Sequence, residues 1–160
     1  MSGEPQGALE LIEEGCKIHE NLGVQLWLSV IYLCLGEVRF LSGDLEGGRA
    51  DLARAVQLGR QNREGLSEGC TRIVYGMVLG KSSPHQFDNA EKEILHGIKI
   101  HEQRGSRLGS SAGYFRLGEL YANAGRREEA LQNLKKAAGM FREMGMDYWL
   151  AKAQEALARL

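Results

Sequence analysis

The sequence predicts an all-α fold: antiparallel helix pairs stacked into a right-handed α-solenoid of about eight helices. Three observations carry that prediction. First, Gly36, Gly76 and Gly118 lie in the same local context, Leu35-Gly36-Glu37, Tyr75-Gly76-Met77 and Leu117-Gly118-Glu119, separated by 40 and 42 residues. Second, Ala8, Gly48, Ala90 and Ala130 recur at intervals of 40, 42 and 40, each followed four residues on by Ile12, Leu52, Ile94 or Leu134 and then by Gly15, Ala55, Gly97 or Ala137. Third, Lys17-Ile18-His19-Glu20 returns unchanged as Lys99-Ile100-His101-Glu102. Both registers share a 40-residue period with one two-residue insertion, which must fall between Gly76 and Ala90. Lys81-Ser82-Ser83-Pro84-His85-Gln86, the one Ser/Pro-rich helix-breaking stretch, lies there.

Apolar residues at three- and four-residue steps make each half-repeat an amphipathic helix. The first, residues 5–22, carries Ala8, Ile12 and Gly15; the second, 25–42, is built on the apolar run Leu26 to Leu35, broken only by Ser29. That run is short of the roughly 18 residues a bilayer span requires and reads as a buried helix. Ser42-Gly43-Asp44 supplies a terminating glycine and an N-capping carboxylate ahead of 44–62. The helix at 65–80 runs into the inserted loop, and 87–104 follows it. Gly105 closes that helix, Gly125 closes 107–124, and Gly145 closes 127–144, where Glu128 and Glu129 suit a helix N-terminus. The last helix is 147–160. The chain is thus one repeat domain over 1–160: a half repeat at 5–22, repeats at 25–62, 65–104 and 107–144, and a half repeat at 147–160.

Small residues at the repeat positions have a geometric reason. Two helices approach closely only where side chains are small, with larger neighbours filling the flanks. Gly36 and Gly118 are expected to face Gly48 and Ala130, with Gly76, Ala90 and Ala137 serving the same purpose. Gly47-Gly48 is no phosphate loop, because no Gly-x-Gly-x-x-Gly follows a strand.

The chain of 160 residues is 43% hydrophobic and 26% charged, with a formal net charge of −1, so it has no field that would gather nucleic acid or an anionic membrane. Residues 1–15 carry several Glu and no apolar leader segment, which leaves the cytoplasm as the expected location. Cys16, Cys34 and Cys70 lack metal or redox spacing and are expected to be buried, reduced thiols. His19 and His101 occupy equivalent repeat positions, which points to a scaffold role; Cys16 with His19 makes only half of a structural zinc set. No nucleophile, base and orienting group can be assembled from spacing, so the expectation is of no catalysis, no cofactor and no metal.

Tyr114-x2-Leu117-Gly118-x2-Tyr121, followed by Ala130-x3-Leu134 and Ala137, resembles the tetratricopeptide pattern, and Gly125 to Leu131 resembles that family's inter-helix turn. Tyr32-x2-Leu35-Gly36 and Tyr75-Gly76 begin weaker copies. The period is 40 rather than about 34, and Arg60, Glu102 and Arg142 stand where many members close with proline; longer helices account for both. The chain is similar to the long-repeat branch found in bacterial signalling proteins and in the C-terminal regions of cyclases, ATPases and transcription regulators, and Met140 to Ala151 resembles the end of such a region.

The resemblance implies that the first helix of each pair lines a concave, partner-binding surface at its second, fifth and ninth positions. These are Val30, Leu33 and Glu37; Cys70, Ile73 and Met77; and Ala112, Phe115 and Glu119. A family clamp for a chaperone's C-terminal carboxylate, built from Lys and Asn, is absent. The expected ligand is a protein or peptide, a basic amphipathic segment with apolar anchors and cations against Glu37 and Glu119. Packing of Leu33, Ile73 and Phe115 against neighbouring helices is the alternative. The function implied is a non-catalytic scaffold in a signalling or regulatory system, with a regulatory segment of a larger enzyme or transcription regulator, or a sensor of small molecules or signalling peptides, as alternatives. Because both terminal pairs are half-filled, each end is expected to expose an apolar edge, Tyr148, Trp149, Leu150, Ala153, Leu157 and Leu160 at the C-terminus, that a second copy or a covalent neighbour domain would cover, with packing of the ends back on the solenoid as caps the alternative.

Overall fold

A computed structural model of the chain describes residues 4–160, with the side chains of residues 4–6 and Ala8 outside that description. The packing expected of Ala8 therefore lies outside the described residues. Eight α-helices and no strand are present among the described residues: α1 Glu4–Asn21, α2 Leu28–Leu41, α3 Leu45–Gln61, α4 Gly65–Ser82, α5 Phe87–Gln103, α6 Arg107–Asn123, α7 Arg127–Glu143 and α8 Asp147–Ala158. The insertion is where the two registers place it, as a 3₁₀ turn at Pro84–Gln86. The fold is an all-α solenoid of antiparallel helix pairs. Each helix packs against its neighbours in sequence, and α4 also touches α2 and α6, so α2, α4 and α6 lie side by side on one surface.

Local chemistry sets the ends. Asp44 accepts a hydrogen bond from the Gly47 amide at 2.9 Å and Ser106 accepts one from Gly109 at 3.3 Å, each satisfying an amide that the first helical turn leaves free. At the end of α5, Gly105 has φ 67°, which lets the Ser106 amide reach back to the His101 carbonyl at 2.9 Å. The helix α2 departs from expectation. It begins at Leu28 rather than residue 25, because Trp27 adopts φ 66° inside the apolar run and breaks the helix there.

The repeat glycines make the predicted close contacts. A methyl added at Gly36 would sit 2.6 Å from Leu52 Cγ and 3.0 Å from the Gly48 carbonyl oxygen, and one at Gly48 would sit 2.9 Å from the Gly36 oxygen. At Gly76 the obstacles are the Ala90 oxygen and Ile94; at Gly118 the nearest atoms belong to Leu134 rather than to Ala130. Around these contacts the core forms a succession of interface clusters, as nearest-neighbour stacking requires. Leu79, Ile94, Ile98, Leu117 and Leu120 fill one, and Phe115, Leu134, Ala137 and Phe141 fill the next. Ala90, Ala130 and Ala137 are fully buried in these clusters.

The C-terminal end differs from the predicted apolar edge. Trp149, Leu150, Leu157 and Leu160 pack into the last cluster, with Trp149 stacked on Phe141 at 6.1 Å and edge-on to Phe115 at 6.1 Å. Ala153 is fully buried, and among the large apolar side chains of this segment only Tyr148 is strongly exposed. The aromatic trio draws α8 down as a cap. At the opposite end the expectation stands: Leu11 and Ile18 on α1, and Leu22 just after it, are exposed.

Candidate functional site

Successive residues on a helix are turned by about 100°, so which residues of α2, α4 and α6 reach the surface depends on the tilt of each helix. Val30, Leu33, Glu37, Met77, Ala112 and Glu119 are half-buried, at a boundary between core and solvent. Ile73 and Phe115 are not: they are 5% and 4% exposed. Ile73 lies against Gly97 and Gly113, and Phe115 against Phe141 and Trp149. They are core residues, and the surface position belongs to the residue after each. Cys34 is exposed, Val74 half-buried and Arg116 half-buried, giving each helix a stripe at steps of four, three and four: Val30, Cys34 and Glu37; Cys70, Val74, Met77 and Lys81; Ala112, Arg116, Glu119 and Asn123.

Arg116 organises the charges of this face. Its guanidinium donates to the Glu119 carboxylate at 2.8 Å, three residues along the same helix, so Glu119 is already answered. Arg116 also acts across the face on Glu37, opposing the effect of burial, which holds the Glu37 carboxyl above the usual carboxylate range. The second, fifth and ninth helix positions pass over Arg116, which follows Phe115 by one residue. Its spacing of three before Glu119 was the available signal. Lys81, Met77, Arg116, Glu119 and Asn123 converge at one end of the stripe around a small recess.

Cys34 and Cys70 are exposed on this face, contrary to the expectation of buried thiols, which holds only for Cys16. Burial of their sulfur surroundings, with Glu37 nearby, pushes both thiols up and keeps them protonated. Cys70 Sγ lies 3.6 Å from His101 Nε2. His101 is 1% exposed, enclosed between Gly69 and Gly109, and its Nδ1 has no hydrogen-bond partner. Burial holds its pKa down, so the pair is a neutral thiol beside a neutral imidazole. Its repeat equivalent His19 instead places Nδ1 3.1 Å from the Gly15 carbonyl oxygen. No group of three or more His, Cys, Asp or Glu side chains suited to a metal ion occurs among the described residues.

A second concavity opens at the edge where the N-termini of α2 and α4 emerge. Leu26, Trp27, Glu64, Gly65, Leu66, Ser67 and Arg104 line a recess of about 310 Å³, mostly apolar. No helix of the described residues is long and apolar enough to cross a membrane.

No protein-family model matches this chain, and no curated protein sequence matches it. Among solved structures it is similar to the crystal structure of BtubC (BKLC) from P. vanneervenii, with a TM-score of 0.69 and 16% identity over 98% of this chain and 72% of that one. The likeness is one of fold. It supports the solenoid architecture and leaves the chemistry of the face to this chain's own residues.

Proposed function

We propose that the chain is a tetratricopeptide-type scaffold that holds a protein or peptide segment against the face made by α2, α4 and α6, without catalysis, in a cytoplasmic signalling or regulatory system. The observation that carries this reading is the open stripe itself. Three helices side by side offer Val30, Val74, Met77 and Ala112 as half-buried apolar positions, with Glu37 and Arg116 as the charged groups between them. Apolar anchors with a few fixed charges are what recognition of an amphipathic segment requires.

The basic character of the expected ligand narrows to one position. Glu119 is paired with Arg116, whereas Glu37 is desolvated and is partnered only at a distance by Arg116. A cation from the ligand would relieve that desolvation, so a single Lys or Arg over Glu37 fits better than a basic stripe. The test is affinity capture from the source cells with the natural chain, Val74→Asp and Glu37→Gln. The same partner should be captured by the natural chain, lost with Val74→Asp and reduced about tenfold with Glu37→Gln. Equal recovery by all three would remove this face as the binding surface.

A further inference from the structure

The repeat places one apolar residue at the same register at the start of each first-type helix: Leu26 just ahead of α2, and Leu66, Leu108 and Tyr148 as the second residues of α4, α6 and α8, spaced 40, 42 and 40 residues apart. All four are open to solvent, at 62%, 53%, 55% and 67% exposure, although the helices behind them are well packed. A residue exposed at random needs no explanation, but one exposed at the same place in every repeat forms a row along an edge of the solenoid. Trp27 extends the row, 62% exposed and held at φ 66°, a backbone region that non-glycine residues enter only at a cost. The recess of about 310 Å³ between Trp27, Leu26 and Leu66 lies within this row.

We infer that this edge is a second docking surface, distinct from the α2–α4–α6 face, and that its occupant is an amphipathic helix carrying a carboxylate. The spacing accommodates a helix. Packed helices lie about 8–10 Å apart, and two turns of a helix rise about 10–11 Å. A helix laid across the emerging N-termini can therefore seat one apolar side chain every seven residues beside Leu26, Leu66 and Leu108 in turn. The charge selects its sign. Arg104 lies over Gly65 at the wall of the recess and has no ion-pair partner among the described residues. Glu64, the acid in the same wall, has both oxygens committed to the start of α2, one to the amide of Trp27 just ahead of it at 3.4 Å and one to the Ser29 hydroxyl. The unanswered charge is positive, so the ligand's polar flank must be acidic.

The probe is a synthetic helical peptide with leucine at every seventh residue and glutamate beside each leucine, paired with a version carrying lysine in place of glutamate. Binding is read by calorimetry and by the emission of Trp27, which should shift to the blue as the peptide covers it; Trp149 is part of the core and supplies a constant background. The glutamate peptide should bind the natural chain at least tenfold more tightly than the lysine peptide. Leu66→Ser should weaken it at least tenfold, Arg104→Glu should reverse the preference between the peptides, and Val74→Asp on the other face should leave it unchanged. Circular dichroism establishes that the variants fold, which substitution at these exposed positions permits. Equal binding of the two peptides, no binding of either, or loss with Val74→Asp equal to that with Leu66→Ser would overturn the inference. So would a concentration-dependent dimer abolished by Leu66→Ser, since the row would then be covered by a second copy.

Discussion

Tyr114 Oη donates to the Glu102 carboxylate at 2.6 Å, and two periods earlier Tyr32 Oη donates to Glu20 at 2.8 Å. Each bond ties the last turn of a second-type helix to the middle of the next first-type helix, so it spans the junction between repeats. In both cases the partners lie 12 residues apart. At Tyr114 the latch is thickened by Lys136, whose ammonium lies 3.7 Å from the ring centroid. Tyr114→Phe and Tyr32→Phe should each lower unfolding free energy by about 0.5–1.5 kcal/mol, the net worth of an ordinary hydrogen bond. Urea denaturation checks this, and a change below the fitting error at Tyr114 would show that the bond is solvated away.

The close approach at Gly36 permits a sharper prediction. A methyl there meets Leu52 Cγ at 2.6 Å and the Gly48 carbonyl oxygen at 3.0 Å, and the second of these is backbone that cannot swing aside. Gly36→Ala should overpack the α2–α3 contact and destabilise by about 1–3 kcal/mol. The gain in helix propensity, about 1 kcal/mol, opposes it without reversing it. Gly118→Leu should cost at least as much, because Leu134 Cγ stands 2.6 Å from the first added atom. Thermal melts suffice, and an unchanged or raised Tm for Gly36→Ala would contradict the contact.

Arg72 is 7% exposed and donates to Glu68 at 2.9 Å and to Glu93 at 2.6 Å, joining α4 to α5. Such a group is weak evidence for net stability, but breaking it from one side leaves carboxylates desolvated and unanswered. Arg72→Ala should therefore destabilise by about 3–5 kcal/mol. Replacing Arg72, Glu68 and Glu93 together by Met and Leu should recover most of the loss. Chemical denaturation of the two variants separates the outcomes: a triple variant no more stable than Arg72→Ala would show that the charges, and not merely the packing, hold the pair.

The period, the insertion and most helix ends were legible because they are written in local signals: a small residue where helices touch, and a glycine or Ser/Pro stretch where they stop. The surface register was not. At about 100° per residue, Phe115 and Arg116 lie on adjoining sectors of α6, and a slight helix rotation decides which faces out. That rotation is set by Phe141 and Trp149, which draw Phe115 inward from α7 and α8. The same long-range packing turned the C-terminal apolar residues into a cap. The late start of α2 was hidden because Trp27 takes its left-handed conformation between Leu26 and Leu28 inside the apolar run, with no glycine or proline beside it to mark the break.

His101 makes stability depend on pH, with a sign that can be worked out. It is 1% exposed, and among the described residues its Nδ1 has no partner and Cys70 is the one polar side chain bonded to its ring, at 3.6 Å from Nε2. Burial lowers its pKa below the ordinary value of 6.5, so the unfolded chain takes up a proton that the folded chain refuses. The contribution is fully favourable above the unfolded pKa and is lost as pH falls toward the folded one, by up to about 1.4 kcal/mol per pH unit. Glu37 and Asp51 oppose this, since burial raises both carboxyls and the folded chain then binds protons more readily at low pH. Their effect is centred nearer the carboxylate range, so between about pH 6.5 and 5 the histidine should dominate. Unfolding free energy should fall across that interval in the natural chain and fall less in His101→Gln, which cannot take up the proton. A parallel decline in the two proteins would assign the pH dependence to other groups, with His96, also held below 6.5 mainly by burial, as the next to replace.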